Sequence, residues 1–367
     1  MSSGESLIGL PKTAVDTPAL LVDLGVMEAN IERIARTCRA AGVSWRPHSK
    51  GTKTLEIVRK ELAAGAIGVT CAKLGEAEVM AAAGIRNILI ANQIVGQTKI
   101  RRLTALLDRA APIVAVDSVE NVAELGDAAH GRPQRLGVVI EVNVGMNRAG
   151  VEPGEPVVAL AGTIARHTGL RFSGLMAWES HAVTIADPAE KERVVADAIG
   201  RLTASAAACR AAGHAVDIIS CGGTGTFPYC VRQPGVTEVQ VGGAIFSDVH
   251  YRSHYHSDFP CALTVLATVT SRPTPTRIVL DAGRKALSSE AAMPEPITLP
   301  GVRKLRLSAE HATIELDAPS ERPRIGDKIE FIVGYSDTTV HLHEEIVGVR
   351  EGRIEGIWRV AARGKIK

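Results

Sequence analysis

The stretch that decides the fold is Arg46-Pro47-His48-Ser49-Lys50-Gly51-Thr52-Lys53, which lies between two helix-like segments near the N-terminus. Its pattern predicts a short strand that ends in polar residues. In a parallel β/α barrel, Lys50 would lie at the C-terminal mouth, where such barrels carry their chemistry. A lysine amine that is partly removed from water loses its proton readily and can form a Schiff base with a carbonyl. A lone lysine is more often a solvated surface residue, so the rest of the chain has to decide.

Short apolar runs alternate with helical patterns through the following two hundred residues or so. Strands are predicted at 67–71, 88–91, 113–117, 136–142, 172–177, 216–220 and 238–241. These runs are continuously apolar, as parallel strands buried on both faces are. Eight or nine strands separated by helices favour a (β/α)8 barrel of the TIM type over an open doubly wound sheet.

The pattern changes after Phe259-Pro260. From there, apolar and polar residues alternate in short runs that Gly/Pro turns separate, which predicts antiparallel strands. The predicted fold class is therefore α/β, a (β/α)8 TIM-type barrel followed by a C-terminal antiparallel β domain. We assign residues 25–255 to the barrel, and residues 1–24 together with 256–367 to the β-rich domain.

Composition limits the possible functions. A net charge of +2 and an aromatic content of 3% provide neither the electrostatic field nor the stacking platforms that nucleic-acid binding needs. No stretch approaches the roughly 18 apolar residues of a membrane span, and a signal-peptide pattern is missing at the N-terminus. The six cysteines show no metal-ligand spacing and are expected to be reduced. We expect a cytoplasmic protein that acts on a small molecule, without nucleic acid or membrane.

Glycine-rich loops follow three of the predicted barrel strands. They are Ser220-Cys-Gly-Gly-Thr-Gly-Thr226, Gly242-Gly-Ala244 and Gly145-Met-Asn-Arg-Ala-Gly150. Late glycine-rich loops of such barrels let backbone N–H groups converge on a phosphate, although each could also be a tight turn. Arg148 can pair with a phenolate or a carboxylate, or it can be a surface arginine. Two late loops together with Lys50 indicate a phosphorylated cofactor.

These motifs resemble the fold-type III pyridoxal phosphate enzymes, which are alanine racemase-like barrels with a C-terminal β domain. The resemblance rests on Pro47-His-Ser-Lys50, Gly145-Met-Asn-Arg148, Gly174-Leu-Met and Ser220-Cys-Gly-Gly-Thr224, and it extends to Asp281-Ala-Gly283, Val333-Gly-Tyr-Ser-Asp337 and Ala362-Arg-Gly-Lys365. Within this group the chain is most similar to the branch of D-threonine aldolase, D-serine dehydratase and 3-hydroxy-D-aspartate aldolase.

The resemblance implies that pyridoxal 5'-phosphate forms a Schiff base with Lys50, and that His48 stacks near the cofactor ring or tunes Lys50. It also implies a homodimer in which one subunit's β domain closes the barrel of the other. Arg148 would lie by the phenolic oxygen of the cofactor, and Trp178 stands where the branch often has a tyrosine near the pyridine nitrogen. The implied cofactor-binding residues are Lys50, Arg148, Trp178, Ser220, Gly222, Gly223, Thr224, Gly242 and Gly243.

One departure from the branch concerns metal binding. The resemblance implies a His-x-Asp or His-x-Cys pair in the β domain that binds a divalent metal, but here the stretch is Tyr335-Ser336-Asp337. A neutral phenol is a poor ligand for zinc. Asp337 stays a candidate metal ligand, and the presence of a divalent metal stays open.

We therefore expect a pyridoxal phosphate-dependent lyase that acts on a small D-configured or β-hydroxy amino acid by retro-aldol cleavage or dehydration. The alternative is a metal-independent amino-acid racemase or epimerase, with Lys50 and Tyr335 as its two acid/bases. A third possibility is a cofactor carrier without enzyme activity. The full β domain with its Tyr335–Asp337 loop argues against a carrier, because a carrier needs no second wall to its pocket.

Overall fold

The structure is a computed structural model that describes residues 7–297 and 299–367. Contacts within the chain divide it into two compact units. The barrel unit comprises Glu32–Lys50, Ile57–Gly242 and Gly364–Lys367, and the β unit comprises 7–31, Gly51–Glu56 and Gly243–Arg363. The domain ranges assigned from the sequence, 25–255 and 1–24 with 256–367, stay a prediction.

The strands and helices follow each other in a regular order. The strands are β1 (Ala19–Asp23), β2 (Ser44–Trp45), β3 (Val69–Cys71), β4 (Asn87–Gln93), β5 (Ala111–Val116), β6 (Leu136–Glu141), β7 (Leu170–Met176), β8 (Ile218–Cys221), β9 (Glu238–Val239), β10 (Leu263–Thr274), β11 (Arg277–Leu280), β12 (Glu295–Pro296), β13 (Val302–Leu307), β14 (Ala312–Leu316), β15 (Lys328–Ile332), β16 (Glu345–Arg350) and β17 (Arg353–Arg359). The helices are α1 (Leu24–Ala41), α2 (Leu55–Ala63), α3 (Leu74–Ala82), α4 (Gln97–Ala105), α5 (Val119–Ala129), α6 (Glu155–Ala165), α7 (Pro188–Ala211), α8 (Phe227–Cys230), α9 (Val249–His254) and α10 (Ser336–Thr339). In the described parts of the chain, no helix combines the length and the apolar character that a membrane span requires.

The barrel unit contains one parallel sheet of eight strands, in the order β2-β9-β8-β7-β6-β5-β4-β3. The outer strands of this sheet are β2 and β3, and the residues that follow β2 form hydrogen bonds with β3. The Thr70 N–H donates to the Pro47 carbonyl and the Ser49 N–H donates to the Thr70 carbonyl, each at 2.8 Å. His48 pairs with Thr70 in the parallel sense. The ring is therefore closed, and the predicted (β/α)8 barrel is confirmed.

Burial of the central strands agrees with their apolar sequences. All six residues of β6 are buried, and so are five of the six residues of β5. Leu89, Ile113, Val139 and Met176, from four successive strands, pack into one cluster. Parallel strands covered on both faces need such continuous apolar runs, because helices lie against the sheet.

A buried ion pair anchors the segment that leads from β2 to Lys50. Arg46 donates through Nε and Nη2 to the two carboxylate oxygens of Glu238, at 2.9 and 2.8 Å. Its Nη1 donates to Asn87 Oδ1 at 2.6 Å. Both charged side chains are only 3% exposed, so the pair is shielded from water. It connects the strand leading to Lys50 with β9 on one side and β4 on the other.

The β unit is built on a sheet of nine strands. Its main path runs β13-β14-β11-β10-β1-β16-β17, and β15 pairs with both β10 and β12. Most pairs are antiparallel, which confirms the predicted β domain, but β1 and β16 are parallel. Only strands joined by a tight turn are forced to be antiparallel. Because β1 comes from the other end of the sequence, it is free to pair either way.

Candidate active site

Lys50 lies two residues after His48, which closes the barrel by pairing with Thr70. Lys50 is an exposed residue. The Lys50 backbone N–H donates to Nδ1 of the half-buried His48 at 3.4 Å. The Ser49 hydroxyl is buried and donates to the Thr70 carbonyl at 3.1 Å. The backbone that leads to Lys50 is therefore held by hydrogen bonds of His48 and Ser49.

Buried amide groups without protein acceptors lie in the loops after β8 and β9. Within residues 7–297 and 299–367, the N–H groups of Thr224, Gly225 and Gly242 donate to no acceptor of the protein, although all three residues are buried. Gln240 N–H donates to the Gly222 carbonyl at 3.0 Å and so joins the two loops. An unsatisfied buried donor costs about 1–3 kcal/mol. Backbone N–H groups that lack protein acceptors can bind anions, so this donor set fits the phosphate of pyridoxal phosphate.

The glycines of these loops are required by close packing. Gly222 has φ +77°, in the left-handed region. A Cβ at Gly223 would overlap the half-buried Trp178 ring, and a Cβ at Gly242 would overlap the His48 backbone. The structure thus brings Trp178 to one loop and His48 to the other.

Ser220 and Arg148 each contact a side chain that the sequence did not single out. Ser220 is fully buried, and its hydroxyl accepts from Gln240 Nε2 at 2.9 Å. The exposed Arg148 donates through Nη2 to Glu141 Oε1 at 3.5 Å. Glu141 is buried at the end of β6 and also accepts from Gln93 Nε2 at 2.6 Å. Glu141 therefore orients Arg148.

Glu179 accepts hydrogen bonds from three residues of the segment that follows β8. Its Oε1 accepts from the Thr226 hydroxyl at 2.5 Å and from the Cys230 thiol at 3.3 Å, and its Oε2 accepts from the Gly222 N–H at 3.4 Å. Burial raises the pKa of the Glu179 carboxyl. Sequence reasoning missed this role, since its partners lie more than forty positions away.

In the β unit, Asp337 lies between two phenols. Tyr335 donates to its Oδ2 at 3.0 Å and Tyr251 to its Oδ1 at 3.5 Å. Burial, and after it the charge of Asp337, raise the pKa of both phenols, so both keep their protons at neutral pH. A Cβ at Gly51 would lie 2.5 Å from Asp337 Oδ1. Gly51 follows Lys50 directly in the chain, and it must be a glycine to leave room for this carboxylate.

Asp248 holds this arrangement in place. It caps α9, with Oδ1 accepting from the Tyr251 N–H at 2.7 Å, while Oδ2 accepts from the Ser336 N–H at 2.7 Å. A Cβ at Gly243, which begins a single 3-10 turn, would overlap the Tyr251 ring. One buried carboxylate therefore fixes both the start of α9 and the loop of Tyr335. Sequence reasoning did not assign this role to Asp248 or notice Tyr251 as a partner of Asp337.

The titration of Asp248 makes a testable contribution to stability. Burial raises its pKa from 3.8 to about 7. The folded chain then binds this proton more tightly than the unfolded chain, so the contribution to the free energy of unfolding falls as pH rises from about 4 to about 7. We expect the difference in unfolding free energy between the native chain and Asp248→Asn to fall over this window by a few kcal/mol, since one pKa unit is about 1.4 kcal/mol. Urea unfolding across the pH range measures it, and a constant difference would contradict the assignment.

The surroundings of Asp337 do not fit a divalent metal. Both of its carboxylate oxygens already accept from phenols. His341 contacts the Asp337 carbonyl through Nδ1 at 3.4 Å, and the buried His343 contacts the Ala286 carbonyl through Nε2 at 2.8 Å. In the described residues, the one group of three or more close His, Cys, Asp or Glu ligand atoms is Glu179, Cys221 and Cys230. Burial raises the pKa of the Cys230 thiol well above its usual value, and this thiol donates to Glu179 Oε1 at 3.3 Å.

The sequence matches two known domain families. Residues 22–249 match the alanine racemase N-terminal domain, and residues 262–349 match a putative serine dehydratase domain. A D-threonine aldolase of Arthrobacter sp is 34% identical over 97% of this chain and 95% of its own length. A 3-hydroxy-D-aspartate aldolase of Paracoccus denitrificans (strain Pd 1222) is 33% identical over 98% of this chain and 95% of its own length.

Solved structures agree with these matches. The crystal structure of a D-threonine aldolase from Filomicrobium marinum has a TM-score of 0.94 and 37% identity, over 98% of this chain and 99% of that chain. An alanine racemase of Clostridium difficile 630 shares the fold, with a TM-score of 0.74 and 12% identity over 94% of this chain and 99% of its own. The chain therefore belongs to the fold-type III pyridoxal phosphate family, in the branch that includes the D-threonine aldolases and 3-hydroxy-D-aspartate aldolases.

Proposed function

We propose that the chain is a pyridoxal phosphate-dependent lyase that cleaves or dehydrates a small D-configured or β-hydroxy amino acid. The observation that carries the proposal is Lys50 at the mouth of a closed barrel whose late loops hold buried amides without protein acceptors. Relatives that match almost the whole chain are named aldolases, which favours this class. The racemase alternative has less support, because the alanine racemase shares only the fold.

Several residues of the barrel would hold the cofactor, each at a different part of it. When bound, pyridoxal phosphate supplies an electron-withdrawing ring that stabilises charge left on the substrate α-carbon. Lys50 would hold the cofactor covalently and, once released by substrate, move a proton at the α-carbon through Nζ. Arg148, oriented by Glu141, would donate to the phenolic oxygen, and Trp178 would flank the ring. His48 would position Lys50 through its backbone hydrogen bond.

The proposed phosphate site uses the glycine-rich loops. The amides of Thr224, Gly225 and Gly242 would donate to the phosphate, since they have no acceptor in the described protein. Gly222 and Gly223 shape the loop, because their N–H groups already donate to side chains. Ser220 would brace the loop through Gln240, and Gly243 would add its N–H.

Products from D-threonine test the proposal. Purified holoenzyme is expected to convert D-threonine to glycine and acetaldehyde if it is an aldolase, or to 2-oxobutanoate if it is a dehydratase. Formation of the L-configured epimer would instead identify a racemase. The same assay with 3-hydroxy-D-aspartate extends the test to the second class of relatives. No turnover of either amino acid would contradict the proposed lyase.

We further propose a homodimer, as the family resemblance implies. Size-exclusion chromatography with light scattering on the holoenzyme would give the mass of two chains. A fully active species with the mass of one chain would contradict this proposal.

Loss of the Glu179 carboxylate is expected to loosen the phosphate loop. Glu179→Ala removes the acceptor of Thr226, Cys230 and Gly222 together. We expect the dissociation constant for pyridoxal phosphate to rise about tenfold, because about 1.4 kcal/mol corresponds to a factor of ten. Titration of the visible absorbance measures this constant. Glu190→Ala, an exposed residue of α7, is the control, and equal affinities in both variants would contradict the role of Glu179.

A further inference from the structure

We propose that Tyr335 and Asp337 form a proton relay that accepts the proton of the substrate β-hydroxyl without a divalent metal. The proposal rests on the function proposed above and assigns the acid/base residues for its second half. It also limits the substrates to amino acids that carry a hydroxyl on the β-carbon.

The first support is the geometry of the carboxylate. Asp337 accepts from Tyr335 Oη at 3.0 Å and from Tyr251 Oη at 3.5 Å. The Asp337 carboxylate is therefore the common acceptor of two phenol hydroxyls. Tyr335 can therefore pass its own proton to Asp337 along an existing hydrogen bond while it accepts another.

The second support is the rigidity of the phenol. The Tyr335 ring lies 4.9 Å from the His250 ring and 5.6 Å from the Tyr251 ring, measured between centroids. Ser336, the residue between Tyr335 and Asp337, is tied to Asp248 through its backbone N–H. A relay needs fixed donors and acceptors, and this loop is fixed by aromatic packing and by a buried carboxylate.

The third support is the position of Asp337 along the chain. Asp337 packs against Gly51, where a Cβ would be 2.5 Å from its Oδ1. Consecutive Cα atoms are about 3.8 Å apart, so the residue that Asp337 touches is one step from Lys50. Asp337 therefore packs against the residue that directly follows the proposed Schiff-base lysine in the sequence.

The proposed step balances in atoms and charge. The β-hydroxyl proton moves to Tyr335 Oη as the Tyr335 proton moves to Asp337 Oδ2. The bond between the α- and β-carbons breaks, its electron pair stays with the α-carbon, and a carbonyl forms at the β-carbon. Lys50 then delivers a proton to the α-carbon. Asp337 releases its proton to solvent and Lys50 takes one up from solvent, so the products are glycine and an aldehyde with no net proton consumed.

The chemistry at Asp337 explains why a metal is not needed. A divalent cation would have to displace two phenol hydroxyls from the carboxylate, and a neutral phenol is a poor ligand for it. His250 is the nearest imidazole to Tyr335 by ring contact, and no third ligand completes a site with Asp337 in the described residues. The hydroxyls of Tyr335 and Tyr251 occupy the two carboxylate oxygens that a metal ion would otherwise bind.

Two variants and one control test the relay on the holoenzyme. Tyr335→Phe and Asp337→Asn are each expected to lower kcat for D-threonine by about 10²–10⁴-fold, the usual range for a general acid/base, with little change in KM. Cofactor affinity and the thermal unfolding midpoint should stay near those of the native chain. Tyr229→Phe removes a phenol hydroxyl of the barrel unit that has no hydrogen-bond partner among the described residues, and it should keep full activity.

Direct metal binding provides a readout that does not depend on turnover. Calorimetric titration of the EDTA-dialysed holoenzyme with Mn²⁺ should show no binding at one site per chain, and EDTA should leave kcat unchanged. Stoichiometric Mn²⁺ binding that restores activity would overturn the relay, and so would native kcat in Tyr335→Phe. If the native chain cleaves D-threonine while Tyr335→Phe does so equally well, the relay fails and the lyase function stands. If the native chain cleaves neither substrate, both fail.

Discussion

Replacement of Lys50 by alanine is expected to abolish lyase activity, with a fall in kcat for D-threonine of at least about 10³-fold. Lys50 follows the segment that closes the barrel through His48, and it lies directly before the glycine that packs against Asp337. Lys50 is the residue that we propose both to hold the cofactor covalently and to move the proton at the α-carbon. Loss of its amine therefore removes both functions at once.

Two further variants distinguish the need for the amine of Lys50 from the need for its positive charge. Lys50→Arg keeps the positive charge but cannot form the covalent link, so we expect it to be as inactive as Lys50→Ala. Lys99→Ala removes an exposed lysine of α4 and should keep full activity. Turnover by Lys50→Arg within tenfold of the native value would show that the charge of residue 50, and not its amine, is what matters.

Replacement of Glu238 by alanine is expected to lower the free energy of unfolding by about 3–5 kcal/mol. The change leaves Arg46 charged and buried, because its Nε and Nη2 lose both carboxylate acceptors. The two side chains are 3% exposed, so water cannot replace the missing partner. Denaturant unfolding of the native chain and the variant measures the effect.

A double variant distinguishes the cost of an unpaired charge from the worth of the pair. Arg46→Met combined with Glu238→Leu removes both charges with apolar residues of similar size. Replacement of a buried ion pair in this way is often close to neutral, so the double variant should be more stable than Glu238→Ala. Equal losses in the single and double variants would show that the ion pair itself stabilises the barrel.

The barrel was predictable because its strands are apolar along their whole length. Residues 136–142, for example, have no polar side chain before Glu141, and β6 is buried throughout. The sequence also pointed to Lys50 and to the glycine-rich loops, since glycine and lysine at strand ends are local signals. The parallel pairing of β1 with β16 has no local sequence signal. It arises because β1 lies between β10 and β16, two strands that come much later in the sequence.

The supporting residues of the site were not predictable in the same way. Glu179 contacts Gly222 and Thr226, and Asp248 contacts Ser336, 88 positions away. A carboxylate on its own gives no sequence pattern that identifies its distant partner. For Asp248 a local signal did exist, since an aspartate directly before a helix is a typical N-cap. The second bond of Asp248, to the loop of Tyr335, required the fold.

The most direct test of the account is to trap the covalent link at Lys50. Holoenzyme would be treated with borohydride, digested with trypsin and mapped by mass spectrometry. We predict that the reduced phosphopyridoxyl group is found on Lys50, in a peptide that continues through Gly51 and Thr52 to Lys53 because trypsin does not cut at a modified lysine. A label on another lysine, or none in protein purified with the cofactor present, would contradict the account.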